Sequence, residues 1–130
     1  MIGLPAGTRV WIAAGVTDMR KGMDGLAAIV QTALGERPFS GDVFVFHNGA
    51  RDRVKLLVWD RNGFWLLYKR LEKGTFPFGV AGEGVRVEID RAQLAMLLDG
   101  IEWKSAKRSS RFASVFVITG RDGTARRSPR

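Results

Sequence analysis

Residues 55–70 read KLLVWDRNGFWLLYKR, two apolar, aromatic-rich runs flanking Asn62-Gly63. Asn-Gly is the preferred pair for a two-residue type I′ turn, because both central residues need positive φ. With Asn62-Gly63 at the turn, Arg61 pairs with Phe64, Trp59 with Leu66, Leu57 with Tyr68 and Lys55 with Arg70. The middle rungs are apolar pairs, each stabilising by roughly 0.2–1 kcal/mol. The far end sets Lys55 against Arg70, and like charges there call for solvent or an anion. A strong hairpin over 54–71, followed by a knot of charge at Lys69, Arg70, Glu72 and Lys73, is the feature from which the fold is read.

Working outward, TRVWIAAG predicts a short strand over 9–14. The apolar residues Met23, Leu26, Ala27, Val30, Ala33 and Leu34 recur at helical spacing, with Thr17 or Asp18 as N-cap and Gly35 as stop. They predict a helix over about 20–34. A strand over 42–47 carries Val43 and Val45 on one side and Phe44 and Phe46 on the other, so it should be covered on both faces. Beyond the hairpin, GTFPFGVAGEG reads as a loop. VRVEI predicts a strand over 85–89, and Asp90 caps a second helix over about 90–99, ended by Gly100. The expectation is an α+β domain: an antiparallel sheet of about five strands around the central hairpin 54–71, with two helices on one face. It occupies residues 1–103, and residues 104–130 form a basic, flexible tail.

Charge divides the chain in the same way. Of 21 Lys+Arg and 13 Asp+Glu, residues 1–103 hold 13 and 12, a balance of +1, while residues 104–130 hold eight and one, a balance of +7. A basic tail on a neutral body points to a polyanion partner, most often nucleic acid, against the plainer reading of a solubilising end. With no Cys there is neither a disulfide framework nor a thiolate metal site. No signal peptide is visible and no apolar run approaches the roughly 20 residues a membrane span needs, so a cytoplasmic, non-membrane protein is expected.

Catalysis has little to work with. The one His, His47, ends a strand, and its expected role is structural. No carboxylate spacing singles out a metal pair, because Asp18, Asp60 and Asp90 each have a local role as cap or turn residue. The expectation is no enzyme, no metal and no cofactor, with a metal nuclease ranked last. DMRKG is more informative. Arg20 and Lys21 at a helix N-terminus oppose the macrodipole unless an anion completes the site, or unless Asp18 and Asp24 neutralise them. Phosphate contacts are therefore expected from Arg20, Lys21, Lys55, Lys69, Arg70 and Lys73, and from Lys104, Lys107, Arg108 and Arg111 in the tail. Among the aromatics interleaved with these cations, Phe64, Trp65, Tyr68, Phe76 and Phe78 serve either as a core or as a base-stacking surface.

The stretches TDMRKGMDGLAAIV, PFSGDVFVFHN, KLLVWDRNGFWLLYKRLEKGTF and LAMLLDGIEW, in this order across residues 1–103, resemble the small accessory protein of IS66-type bacterial insertion sequences, the TnpB or second-reading-frame-like family. The positions that match its motifs are Asp18, Arg20, Lys21 and Gly22; Pro38, Phe39, Ser40 and Gly41; and Lys55, Trp59, Gly63, Lys69, Arg70 and Gly74. Where that family has Trp-Pro after Thr75-Phe76, this chain has PFGV, and its tail is longer. The resemblance implies a non-catalytic role in transposition beside a separate transposase that cuts and joins DNA, and it carries over no catalytic residue. Its implied partners are DNA at the element ends, the transposase and a sister accessory protein, with no small-molecule ligand. The alternative is a protein-interaction adaptor whose core ignores DNA and exposes an apolar patch around Phe76, Phe78 and Val80.

Overall fold

A computed structural model describes residues 4–78 and 84–100. In chain order its elements are β1 (Val10–Ala13), α1 (Met23–Thr32), β2 (Val43–His47), β3 (Arg53–Asp60), β4 (Gly63–Arg70), β5 (Arg86–Ile89) and α2 (Arg91–Leu98). The α+β composition and all seven elements are those expected, but α1 is shorter than the predicted 20–34. Arg20 and Lys21 lie in a turn before it and Gly22 is its N-cap, with no side-chain capping bond.

The five strands form one sheet in the order β4-β3-β2-β1-β5. β1 and β2 pair in parallel, with Val10 beside Val43 and Ile12 beside Val45, while every other pair is antiparallel. The sheet is thus mixed, which corrects the antiparallel expectation. The cause is α1, which stands between β1 and β2 in the chain. A strand–helix–strand crossover returns the chain to the end where it started, so the two strands run the same way.

A second correction concerns the helices. Val10, Ile12, Val43, Val45, Val54, Leu56 and Val58 pack with Leu94, Met96 and Leu97 of α2 and with Phe76 and Phe78. Trp11, Ala13, Phe44, Phe46 and Leu57 pack with Leu26, Val30 and Leu34 of α1. The helices therefore cover opposite faces, not one. β2 requires this, since all five of its residues are buried at the centre of the sheet. A strand apolar on both sides needs a layer on each.

The hairpin forms with a different turn. Asp60 pairs with Gly63, leaving Arg61-Asn62 as the two turn residues, and Arg61 takes the left-handed conformation at φ 56. That conformation costs a non-glycine residue roughly 1 kcal/mol. The register offsets this. Trp59 now faces Phe64, and both rings meet Phe39, with centroids 4.9, 5.6 and 5.0 Å apart. Trp65 Nε1 also donates to Asp60 Oδ2 at 3.0 Å. Relative to the expected ladder the strands are offset by two residues, so every side chain keeps its face. The partners change, however: Lys55 faces Tyr68, and Arg53 faces Arg70.

Cations from the sheet pin both ends of α1. Lys55 Nζ of β3 donates to the carbonyls of Met19 and Lys21, at 2.7 and 2.8 Å, just before the helix. Arg86 Nη1 of β5 donates to the carbonyl of Leu34, just after it, at 2.6 Å. α1 consequently spans its face of the sheet from β3 to β5. α2 starts at a capping box in which Asp90 accepts from the backbone N–H of Gln93 and the Gln93 side chain accepts from that of Asp90. Lys69 Nζ donates to the Leu98 carbonyl at its other end, at 2.8 Å, which satisfies one of the carbonyls a helix terminus leaves open.

Candidate nucleic-acid interface

One end of the sheet gathers the segment 14–22 after β1, the turn 48–52 between β2 and β3, and the segment 71–76 after β4. Backbone bonds hold these together: Thr17 N–H donates to the His47 carbonyl, Leu71 N–H to that of Asp52 and Phe76 N–H to that of Arg51. The 48–52 turn is built on Asn48, whose Oδ1 accepts from the N–H groups of Asp52 and Arg53 and whose Nδ2 donates to Asp52 Oδ1. Its geometry demands a left-handed residue, Arg51 at φ 61. Eight cations stand on these segments and the adjoining strand ends: Arg20, Lys21, Arg51, Arg53, Lys55, Lys69, Arg70 and Lys73. Against them stand Asp18, Asp24, Asp52 and Glu72. This end is net positive in a body whose total charge is close to zero.

The cations expected to contact phosphate differ in their availability. Lys21 and Lys73 are exposed. The Arg20 guanidinium pairs with Asp18, with Nη2 2.8 Å from Oδ2, and holds that carboxyl well below the usual carboxylate range while its own pKa is raised in return. Of the two carboxylates expected to neutralise this stretch, Asp18 pairs with Arg20. Arg70 pairs with Glu72 at 3.1 Å. Lys69 is bound to the α2 terminus. Lys55 is 7% exposed, with its ammonium on two loop carbonyls and 4.8 Å from the Tyr68 ring centroid. Its place in the fold is inward, between the sheet and the loop before α1. Lys104, Lys107, Arg108 and Arg111 lie outside the described residues.

Arg51 and Arg53 also belong to this end, although they are not among the cations expected from sequence to contact phosphate. The signal was present as two arginines flanking Asp52 at a strand start. Arg53 is half-buried opposite Arg70, and its Nε has no hydrogen-bond partner. The like-charge pair expected at the open end of the hairpin therefore exists, with Arg53 in place of Lys55.

The aromatics divide in two. Phe76 and Phe78 are buried in the α2-side core, at 1% and 7% exposure, which overturns the exposed patch expected of them under the adaptor reading; Val80 lies outside the described residues. Backbone bonds from Leu71 and Phe76 to Asp52 and Arg51 hold this stretch at the end of the sheet, where both rings join the α2-side core. Trp65 and Tyr68 remain 46% and 55% exposed, and Tyr68 stands at the basic end. His47 is buried, with its ring stacked on Phe78 at 4.2 Å, and burial pushes its pKa below the ordinary value of 6.5. That is a packed core residue. Among the described residues no group of three or more His, Asp or Glu side chains is arranged to hold a metal ion, and no helix is long and apolar enough to cross a membrane.

Comparison with known proteins gives this geometry a context. The family described as IS66 Orf2 like protein matches residues 8–108. Two uncharacterized proteins of Sinorhizobium fredii (strain NBRC 101917 / NGR234) are similar along most of their length. y4jC is 37% identical over 108 residues, covering 83% of this chain and 92% of its own, and y4hO is 42% identical over 110 residues, covering 83% and 95%. No solved structure matches the chain significantly. The matched span takes in the whole sheet, both helices and the basic end, and the chain belongs to the IS66 Orf2-like family.

Proposed function

We propose that this protein is a non-catalytic accessory factor in transposition of an insertion sequence, and that it binds DNA near the element ends through backbone phosphates. Family membership supports the transposition role. The observation that carries DNA binding is the convergence of eight cations on one end of the sheet, with Lys21, Arg51 and Lys73 exposed there. Phosphate contacts position a protein without reading sequence, so element specificity would come from the transposase or from DNA shape. Tyr68, exposed beside these cations, offers a ring face for an unstacked base. The tail adds sequence-independent affinity through Lys104, Lys107, Arg108 and Arg111. The partners in this reading are the element's DNA, its transposase and a sister accessory protein.

One observation favours the adaptor as a second reading. Of the six body cations expected at phosphate, Arg20, Lys55, Lys69 and Arg70 already have partners within the chain. The two readings separate in fluorescence anisotropy of the full chain with labelled element-end duplex across a salt series. Replacing Lys21, Arg51 and Lys73 together by Ala should flatten the slope of log affinity against log salt by roughly 0.9 per lost contact. An unchanged slope, with binding lost only on neutralising the four tail cations, would make the folded body an adaptor.

A further inference from the structure

The two edges of the sheet are finished differently. β5 is four residues long, and its Arg86 and Glu88 are engaged with Glu36 and Arg9. A short, charged strand is how proteins prevent unwanted pairing at an edge. β4 is eight residues long, Gly63–Arg70, and has only β3 as a neighbour among the described residues. Its first six residues, GFWLLY, carry no charge. Trp65 and Tyr68, half-exposed, project on opposite faces of the sheet beside this open edge. Nothing in β4 opposes strand addition until Lys69 and Arg70.

From this edge we infer that β4 pairs antiparallel with β4 of a second copy, joining two five-stranded sheets about a twofold axis. The charge pattern along the strand selects that occupant and that direction. Aromatics lie at the start of β4 and cations at its end. Parallel pairing would set Lys69 and Arg70 beside their own copies, which is destabilising. Antiparallel pairing sets them against the uncharged start of the other strand. An axis normal to the sheet keeps each face with its like, so partners have the same parity. In one register Leu66 meets Leu66, Trp65 meets Leu67 and Phe64 meets Tyr68. In the next, Leu67 meets Leu67, Trp65 meets Lys69 and Phe64 meets Arg70, again with no like charges opposed. Both arrangements are self-complementary and closed, as a twofold dimer requires. The inference is independent of the DNA-binding reading.

Light scattering after gel filtration of the full chain should give twice the chain mass of 14.4 kDa. The variant Trp65→Lys/Tyr68→Glu puts a charge on each face of the edge, the new carboxylate beside Lys55 and the new ammonium beside Asp60. It should give one chain mass with unchanged far-ultraviolet circular dichroism. Because the chain has no Cys, Leu66→Cys and Leu67→Cys supply a second readout. Under mild oxidation one of the two should cross-link into a dimer, and which one identifies the register, while Val16→Cys, on an exposed loop, should not. A wild-type chain that stays monomeric at 100 μM overturns the inference. So does a monomer whose β4 amides are nonetheless protected from exchange and lose that protection when Val115 and Val117 of the apolar tail stretch SVFVIT (114–119) are changed, because that stretch would then occupy the edge.

Discussion

Lys55→Met is the substitution that most directly separates a structural from a DNA-contacting cation. The Lys55 ammonium donates to two carbonyls at 2.7 and 2.8 Å from a position 7% exposed, and it lies 4.8 Å from the Tyr68 ring. A hydrogen bond to a charged group is worth about 1.5–3 kcal/mol net. Two such bonds from one donor are not additive, and the 17–22 loop has exposed residues on either side of them, so water can reach its carbonyls once the ammonium is gone. The cation–π contact, with Tyr68 half-exposed, adds about 0.5 kcal/mol. Met fills most of the same volume, so no cavity term enters. The expected loss is about 3 kcal/mol, and at ~4–8 °C per kcal/mol for a small domain the Tm falls by roughly 12–24 °C. Thermal unfolding followed by circular dichroism measures this, and hydrogen exchange should show the amides of 17–22 opening first. A fall below about 3 °C would refute the assignment of Lys55 as the tie between sheet and loop. Stability near wild type together with a salt slope flattened by about 0.9 would restore it as a phosphate ligand.

Three further outcomes follow from the same structure. Burial lowers the pKa of His47, so its neutral form belongs to the folded state; the associated stability is complete above the unfolded value of 6.5 and declines as pH falls below it. As the only His, it should account for the change in denaturation midpoint between pH 7 and 5.5, and His47→Asn, though less stable throughout, should flatten that change. Asp90→Ala removes the α2 cap and should cost about 1 kcal/mol in chemical denaturation, with little change in m-value. Phe44→Ala, at a fully buried centre of the sheet, should cost about 3–5 kcal/mol; an effect under 1 kcal/mol would mean that β2 is not covered on both faces.

Local chemistry made most of the fold legible in the sequence. Turn residues, helical spacing and the Asp90 cap depend on neighbours within a few positions, and they located all seven elements to within about three residues. The two-sided apolar pattern of Val43–His47 correctly marked the central strand. The net charge near zero in the body and the basic tail are likewise properties of composition, independent of folding.

Relations between distant segments were decided only in three dimensions. Asn62-Gly63 is a strong turn signal, yet Arg61-Asn62 forms the turn, because the Phe39–Trp59–Phe64 cluster depends on a residue far outside the hairpin. A two-residue offset preserves every face, so alternation alone could not distinguish the registers. Lys55 looked like any strand-end cation. Its burial arises because α1 crosses the face and brings the carbonyls of Met19 and Lys21 over β3. Arg51 and Arg53 joined the basic end by the same route, through contacts between the 48–52 turn and the chain after β4. The sequence by itself determined which elements exist, the sign of the charge and the family. Packing between segments tens of residues apart decided strand direction, the helix faces and which cations remain free, because those outcomes depend on contacts that no local pattern encodes.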